Sequence, residues 1–133
     1  MAIKQPKNVE SLEQLYAAFN RGDTEAVLNG WTDDITWTEP EGDPAAGTHH
    51  GPDEILENVF GTIPDTLDRF EADPDRFIDR GDTVVVEGNF MITTESGRDY
   101  EVPFAHICEL RDGKLQRFTN YTDTVVMQQA FES

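Results

Sequence analysis

A chain of 133 residues with a formal net charge of −17 has the length of one domain that buries about two-thirds of its unfolded surface. Its 27 acidic side chains outnumber its 10 basic ones, so it lacks the basic surface that nucleic-acid binding requires. The chain has no run of 18 apolar residues, which excludes a helix that spans a membrane.

The acidic residues are spread along the chain, and apolar residues recur regularly between them. This pattern indicates a folded domain and not a disordered acidic tail. The basic residues include only three lysines, Lys4, Lys7 and Lys114. A dispersed acidic surface with little lysine is typical of proteins from extreme halophiles, in which molar salt screens the charge repulsion. An ordinary acidic bacterial protein is the alternative.

Two features predict a cytoplasmic location. The first ten residues, MAIKQPKNVE, lack the apolar core of a signal peptide. The single cysteine, Cys108, cannot form an internal disulfide, and we expect it to act as a small apolar side chain in a strand.

Apolar residues at helical spacing predict a first helix that is capped by Asn8 or Ser11 and runs to about Arg21. Gly22 ends this helix. Its buried stripe consists of Leu12, Leu15, Tyr16 and Phe19.

Asp23 is the predicted cap of a short second helix. That helix carries Ala26, Val27 and Trp31. A short strand follows, and because side chains alternate along a strand, Ile35, Trp37 and Glu39 share one of its faces.

The segment EGDPAAGTHHG is predicted to be a loop over the mouth of a pocket. Pro52 suits the first position of a third helix. The apolar face of this helix consists of Ile55, Leu56, Val59 and Phe60.

From about Phe70 the apolar pattern changes to a period of two, which predicts strands. The four predicted strands span residues 69–79, 83–94, 99–110 and 115–124. The sequences between them, DRGD, ESGR and RDGK, are typical of turns. Helices followed by a meander of antiparallel strands predict an α+β fold.

Two long stretches resemble a known family. YAAFNRGDTEAVLNGWTDDITWTEPEGDPAAGTHHGPDEI and FAHICELRDGKLQRFTNYTD are similar to the nuclear-transport-factor-2-like superfamily, in particular its SnoaL-like polyketide cyclase and ketosteroid isomerase branches. The resemblance implies one domain over residues 1–133, with a cone-shaped, curved, mixed or antiparallel sheet wrapped around three N-terminal helices. It also implies a pocket for a small ligand and no cofactor.

The resemblance assigns four catalytic positions. Tyr16 stands where ketosteroid isomerases have the tyrosine that donates to the enolate oxygen, and Glu39 stands where they have the aspartate base. Their third group falls at His106 or Ala105, and strand alternation favours His106. SnoaL-like cyclases also have a histidine at this place, whereas their catalytic aspartate corresponds to Asn120 here.

Each of these residues also has an interpretation without catalysis. Tyr16 can be a core tyrosine, Glu39 an acid at an exposed rim, and His106 a hydrogen-bonded core histidine. Asn120 can bind either His106 or a ligand oxygen. Glu39 is the strongest candidate, because its strand neighbours point it inward and burial raises the pKa of a carboxyl group toward that of a general base.

The predicted ligand contacts are aromatic or lie at the rim. They are Trp31, Trp37, His50, Phe60, Phe90, Phe104 and Phe118. His49 is expected to be a loop residue, and Asp123 to cap a C-terminal helix. No histidine or cysteine spacing suggests a metal site.

These features favour an enzyme that transfers a proton next to the carbonyl of a small apolar compound, by isomerisation, cyclisation or dehydration. The alternative is a non-catalytic small-molecule-binding protein, or a structural dimer with a vestigial pocket. An epoxide hydrolase is a third possibility, but its aspartate–arginine–aspartate set cannot be placed here. Val85, Met91 and Ile107 would lie on the outer sheet face, which predicts a homodimer through the sheet.

Overall fold

A six-stranded mixed sheet with helices packed against it forms the part of the chain that the structure, a computed structural model, describes: residues 7–132. The expected α+β class is confirmed. Residues 1–6, which contain most of the segment used to predict the absence of an export signal, and Ser133 lie outside the described residues.

The elements follow the predicted order, with one short strand in addition. The helices are α1 (Lys7–Asn20), α2 (Thr24–Asn29), α3 (Pro52–Asn58) and α4 (Thr124–Glu132), with a 3₁₀ turn at Phe60–Thr62. The strands are β1 (Trp31–Glu39), β2 (Gly47–His50), β3 (Arg69–Arg80), β4 (Thr83–Thr93), β5 (Asp99–Arg111) and β6 (Lys114–Thr122). Within residues 7–132, no helix is both long and apolar enough to cross a membrane.

Local signals explain most helix ends. Gly22 has a φ of 73° and follows α1 in a Schellman-type end, in which the Asp23 N–H donates to the Ala18 carbonyl at 2.9 Å. The Asp23 side chain then accepts from the Ala26 N–H and caps α2, as predicted. Pro52 occupies the first turn of α3, also as predicted.

Three expectations about element ends are wrong. Asn8 and Ser11 lie inside α1 and do not cap it, and the Asn8 amide instead donates to the Gly81 carbonyl at 2.7 Å. Trp31 is not on α2, because Gly30 ends that helix and Trp31 begins β1. The second half of the predicted loop is the short strand β2.

The sheet has the order β2-β1-β6-β5-β4-β3. Among the strands within residues 7–132, the β1–β6 pair is parallel and the other pairs are antiparallel. Strands β3 to β6 form the predicted meander, and the alternating burial along β4 and β5 separates an inner face against the helices from an outer face. On β5 this alternation buries His106 and leaves Ala105 partly exposed on the outer face.

Candidate functional site

A cavity of about 110 Å³ lies between the helices and the inner face of the sheet. One water molecule needs roughly 10–15 Å³ by such a measure, so the cavity has room for several waters or a small ligand. Its walls are mostly apolar. The polar side chains at the wall are Tyr16, Glu39, Asp43, Thr62, His106 and Asn120.

Glu39 projects from the end of β1 and is 7% exposed. Two N–H groups hold its carboxylate: the Asn120 amide donates to Oε1 at 2.8 Å, and the Trp37 indole donates to Oε2 at 2.7 Å. Burial nevertheless dominates, and it raises the pKa of Glu39 to about 7 although both hydrogen bonds act to lower it. A carboxyl group in this state can take up and return a proton near neutral pH.

Trp37 orients the carboxylate because its own ring is fixed by stacking. The centres of the Trp37 and Phe118 rings are 3.8 Å apart at an interplanar angle of 26°. Trp37 and Glu39 are two residues apart on one strand, so they share a face. The apolar surface of the indole therefore lines the cavity while its N–H donates to the acid.

Tyr16 and His106 meet across the interface of α1 with the sheet. The Tyr16 hydroxyl is 2.6 Å from His106 Nδ1, and both side chains are buried. Burial lowers the pKa of His106 to about 3, so the imidazole is neutral. Burial raises the pKa of Tyr16 well above its usual value, and the neighbouring Cys108 raises it further. The Tyr16 hydroxyl therefore stays protonated.

Asn120 connects the two halves of the site. It lies directly opposite His106 in the β5–β6 register and donates to Glu39. In the described part of the chain, His106 Nε2 and Asn120 Oδ1 are buried and have no hydrogen-bond partner. The four residues assigned by resemblance thus lie together at one cavity wall.

Five of the seven predicted ligand contacts also line the cavity. They are Trp31, Trp37, Phe60, Phe90 and Phe118. Trp31 takes part although it was expected on a helix, because the first residue of β1 faces the same interior.

The positions of Phe104 and His50 correct the other two assignments. Phe104 lies behind the wall, with its ring stacked on His106 at a centroid distance of 3.8 Å, so it supports the imidazole without lining the cavity. His50 is exposed, because it pairs with Thr36, whereas His49 pairs with Trp37. Directly opposite residues share a sheet face, so His50 lies on the side away from the cavity.

Two polar cavity residues, Asp43 and Thr62, were not singled out from the sequence, and Asp43 is the one that carries charge. It lies on the loop after β1, half-buried, and accepts from the Ala45 N–H at 2.8 Å. Burial raises the pKa of Asp43, and its charge adds to the raised pKa of Glu39. The only available signal was an aspartate before a proline in a loop, which is equally typical of a turn.

The C-terminal helix also reaches the site. Met127 and Phe131 on α4 line the cavity, and Asp123 caps this helix by accepting from the Val126 N–H, as predicted. Across residues 7–132, no three His, Cys, Asp or Glu side chains are grouped so that they could hold a metal ion.

Comparisons with known proteins place this geometry in a family. Residues 12–118 match the family model of the SnoaL-like domain. No curated protein matches the chain. The structure of TerC co-crystallised with polyporic acid is 34% identical with a TM-score of 0.85, and the match covers 96% of this chain and 99% of TerC.

Two further structures have the same fold. An NTF2-like protein from Burkholderia thailandensis E264 is 32% identical with a TM-score of 0.82, and the match covers 98% of this chain and all of that protein. A protein named as a SnoaL-like polyketide cyclase, from Jannaschia sp. CCS1, is 17% identical with a TM-score of 0.79 over 100% of this chain and 99% of its own. At that identity the similarity shows the fold alone.

Proposed function

Because the chain belongs to the SnoaL-like domain family, we propose that it is a cofactor-independent isomerase- or cyclase-type enzyme acting on a small, largely apolar carbonyl compound. Glu39 would remove a proton from the carbon next to the carbonyl, which leaves an enolate. The enolate would then be protonated at another atom or attack a second carbonyl group. In either case Glu39 would hold the proton between the two steps.

The observation that carries this proposal is the environment of Glu39. Its ordinary pKa of 4.5 is raised to about 7, so at neutral pH it is a much stronger base than an exposed carboxylate and is still partly ionised. Two N–H donors hold both of its oxygens in place beside the cavity. A positioned base of this kind typically contributes about 10²–10⁴-fold to the rate.

Tyr16 is the donor proposed for the enolate oxygen. Its hydroxyl is at the cavity wall and stays protonated. That hydroxyl lies 2.6 Å from His106 Nδ1, so a ligand oxygen has to compete for its hydrogen. A hydrogen bond from Tyr16 to the ligand oxygen would strengthen as negative charge develops there, which favours the transition state over the ground state.

The walls support an aromatic or otherwise flat apolar ligand, since the rings of Trp31, Trp37, Phe60 and Phe118 surround the cavity. A small organic ligand is also supported by the relative TerC, which was co-crystallised with polyporic acid. No lysine or arginine lines the described cavity, so its walls offer no cation to pair with an anionic group.

Exchange of substrate hydrogen for deuterium tests the proposal without knowledge of the final product. A panel of cyclic and aryl ketones is incubated with the protein in D₂O, and NMR follows the loss of the signal from hydrogen next to the carbonyl. We expect Glu39→Gln to reduce the catalysed exchange at least 100-fold. Glu57→Gln, at an exposed position on α3, is the matched control and should exchange like the parent.

A non-catalytic small-molecule-binding protein is the second candidate. Asn120 stands in place of the cyclase aspartate, and the Tyr16 hydroxyl is already bound to His106. Both features favour a site that holds a ligand without transforming it. Tight binding of a ketone, observed by native mass spectrometry with no deuterium exchange above the Glu39→Gln background, would favour this candidate over the enzyme.

A further inference from the structure

Four buried side chains form a polar line along the cavity wall, from α1 to the end of β1. We call Tyr16, His106, Asn120 and Glu39 the donor relay. Its outer contacts are the 2.6 Å contact of the Tyr16 hydroxyl with His106 Nδ1 and the 2.8 Å bond from Asn120 Nδ2 to Glu39 Oε1. At its centre, His106 and Asn120 are direct cross-strand partners, and each keeps one buried polar atom without a partner among residues 7–132.

The charge of Glu39 sets the direction of the relay. An ionised carboxylate can only accept hydrogen bonds, so Asn120 presents its NH₂ group to Glu39. Its Oδ1 is then left for His106, whose Nε2 is the complementary unpaired atom. A neutral imidazole with its hydrogen on Nε2 has no hydrogen on Nδ1, and that bare nitrogen accepts the hydroxyl hydrogen of Tyr16.

We propose that His106 Nε2 and Asn120 Oδ1, which have no other partner among residues 7–132, close into a hydrogen bond between these cross-strand neighbours. All the hydrogen bonds of the donor relay then point toward Glu39, so that Tyr16 and His106 stabilise its ionised form without touching it. In this scheme both are positioning residues that act through Asn120. Aligned hydrogen bonds polarise one another, so the Tyr16 hydroxyl, at the far end of the relay, strengthens the bond from Asn120 to the Glu39 carboxylate.

This arrangement gives the site a response to its ligand, a step that rests on the proposed function. A substrate carbonyl that takes the Tyr16 hydroxyl hydrogen removes the first donor of the relay. The bond from Asn120 to Glu39 then weakens, and the carboxylate binds a proton more tightly. Glu39 therefore becomes a stronger base when a carbonyl group occupies the cavity and remains a weaker one when the cavity is empty.

Two other titratable side chains lie beside the relay, and neither can replace it. Asp43, on the loop after β1, acts on Glu39 by charge and is not part of the hydrogen-bonded line. Cys108 lies next to the Tyr16 hydroxyl, and burial raises the pKa of its thiol to about 12, so it stays neutral. The hydrogen-bonding groups that connect Tyr16 with Glu39 are therefore those of His106 and Asn120.

Carbon-13 NMR of the glutamate side-chain carboxyl groups tests the relay in the ligand-free protein. The resonance of Glu39 is identified by its absence from the spectrum of Glu39→Gln. We expect Tyr16→Phe to lower the acid dissociation constant of Glu39 about twofold, since polarisation changes each neighbouring bond by roughly 10–30%. Tyr121→Phe removes the same hydroxyl from the exposed outer face and should change nothing.

His106→Phe interrupts the relay next to Asn120, so we expect a decrease larger than that of Tyr16→Phe. If this variant does not fold, Tyr16→Phe and the nitrogen-15 spectrum of His106 still decide the question. The spectrum should show hydrogen on Nε2. A hydrogen on Nδ1, or a Glu39 titration unchanged in Tyr16→Phe, would overturn the relay.

The titration requires no substrate, so its outcome is independent of the proposed function. A changed acid dissociation constant of Glu39 in Tyr16→Phe, with no ketone exchange in the parent, would support the relay and contradict the proposed enzymatic function. Ketone exchange that depends on Glu39, together with an unchanged Glu39 titration in Tyr16→Phe, would support the enzyme and overturn the relay.

Discussion

Replacing Glu39 by glutamine should change how the stability of the protein depends on pH. Burial raises the pKa of this carboxyl group from 4.5 to about 7 in the folded protein, so the folded state binds the proton more tightly than the unfolded state. Its contribution to stability is therefore greatest below about pH 4.5 and is lost as the pH rises to about 7. At 1.36 kcal/mol per pKa unit, ionisation of Glu39 costs about 3 kcal/mol at pH 8.

Glu39→Gln removes this titration because the amide keeps the shape but carries no charge. The Asn120 amide can rotate so that its oxygen accepts from the NH₂ group of the introduced glutamine, while the glutamine oxygen still accepts from the Trp37 indole. We expect the parent protein to lose about 2 to 3 kcal/mol relative to the variant between pH 5 and pH 8. Tryptophan fluorescence during urea unfolding, at constant high salt, measures both free energies of unfolding.

Glu57→Gln is again the matched control, since it is the same substitution at an exposed position. Its stability should follow that of the parent at both pH values. Curves for the parent and Glu39→Gln that stay parallel within about 0.5 kcal/mol would refute the argument that Glu39 is ionised at a desolvated site, and with it the basis for a strong base at this wall.

Three further predictions concern the surface and the sheet. If the acidic, lysine-poor surface is of the halophilic type, the melting temperature should rise as salt increases from about 0.1 M to 1 M, because the Debye length falls from roughly 10 to 3 Å over this range. A melting temperature that stays constant or falls would contradict this interpretation. We propose a homodimer through the outer face of the sheet, where Ile78, Val85 and Ile107 are direct cross-strand neighbours. Light scattering at micromolar concentration in high salt should show a dimer that Ile107→Glu converts to a monomer, whereas a monomeric parent protein would exclude this dimer. Gly88→Ala should destabilise the fold by about 2 kcal/mol or more, because the added Cβ would lie 2.2 Å from a backbone oxygen of β3. Gly61→Ala is the control in the same urea experiment and should be destabilised less, because the atom nearest to its Cβ would be 3.4 Å away.

Strand alternation allowed the inward direction of Glu39 and Trp37 to be predicted from the sequence. A strand has a side-chain period of two, and an apolar face against helices specifies which side is buried. The same rule placed His106 inside and Ala105 outside. These predictions needed only the local pattern, because one face of each of these strands packs against the interior.

The positions of His50, Phe104 and Asp43 needed information that a local pattern does not hold. Glycine and proline signals predicted a loop before Pro52, but they could not show that part of it pairs with β1. Which of two adjacent histidines lies on the same sheet face as Trp37 depends on that pairing. Phe104 obeys the alternation of β5, yet it supports His106 from behind, and only packing distinguishes a ring that lines a cavity from one that backs it.

The inward position of Asn120 depends on an irregularity that no periodicity in the chain predicts. The hairpin pairs Leu110 with Leu115, but the next pair is Glu109 with Arg117, so β6 contains one extra residue. This bulge changes the inward positions of β6 from odd to even numbers, as the burial of Leu115, Phe118 and Asn120 shows. Without it, His106 would lie opposite residue 119 instead of Asn120, and Asn120 would point away from Glu39. A single extra residue in β6 therefore aligns the base, its amide donor and the imidazole on one wall of the cavity.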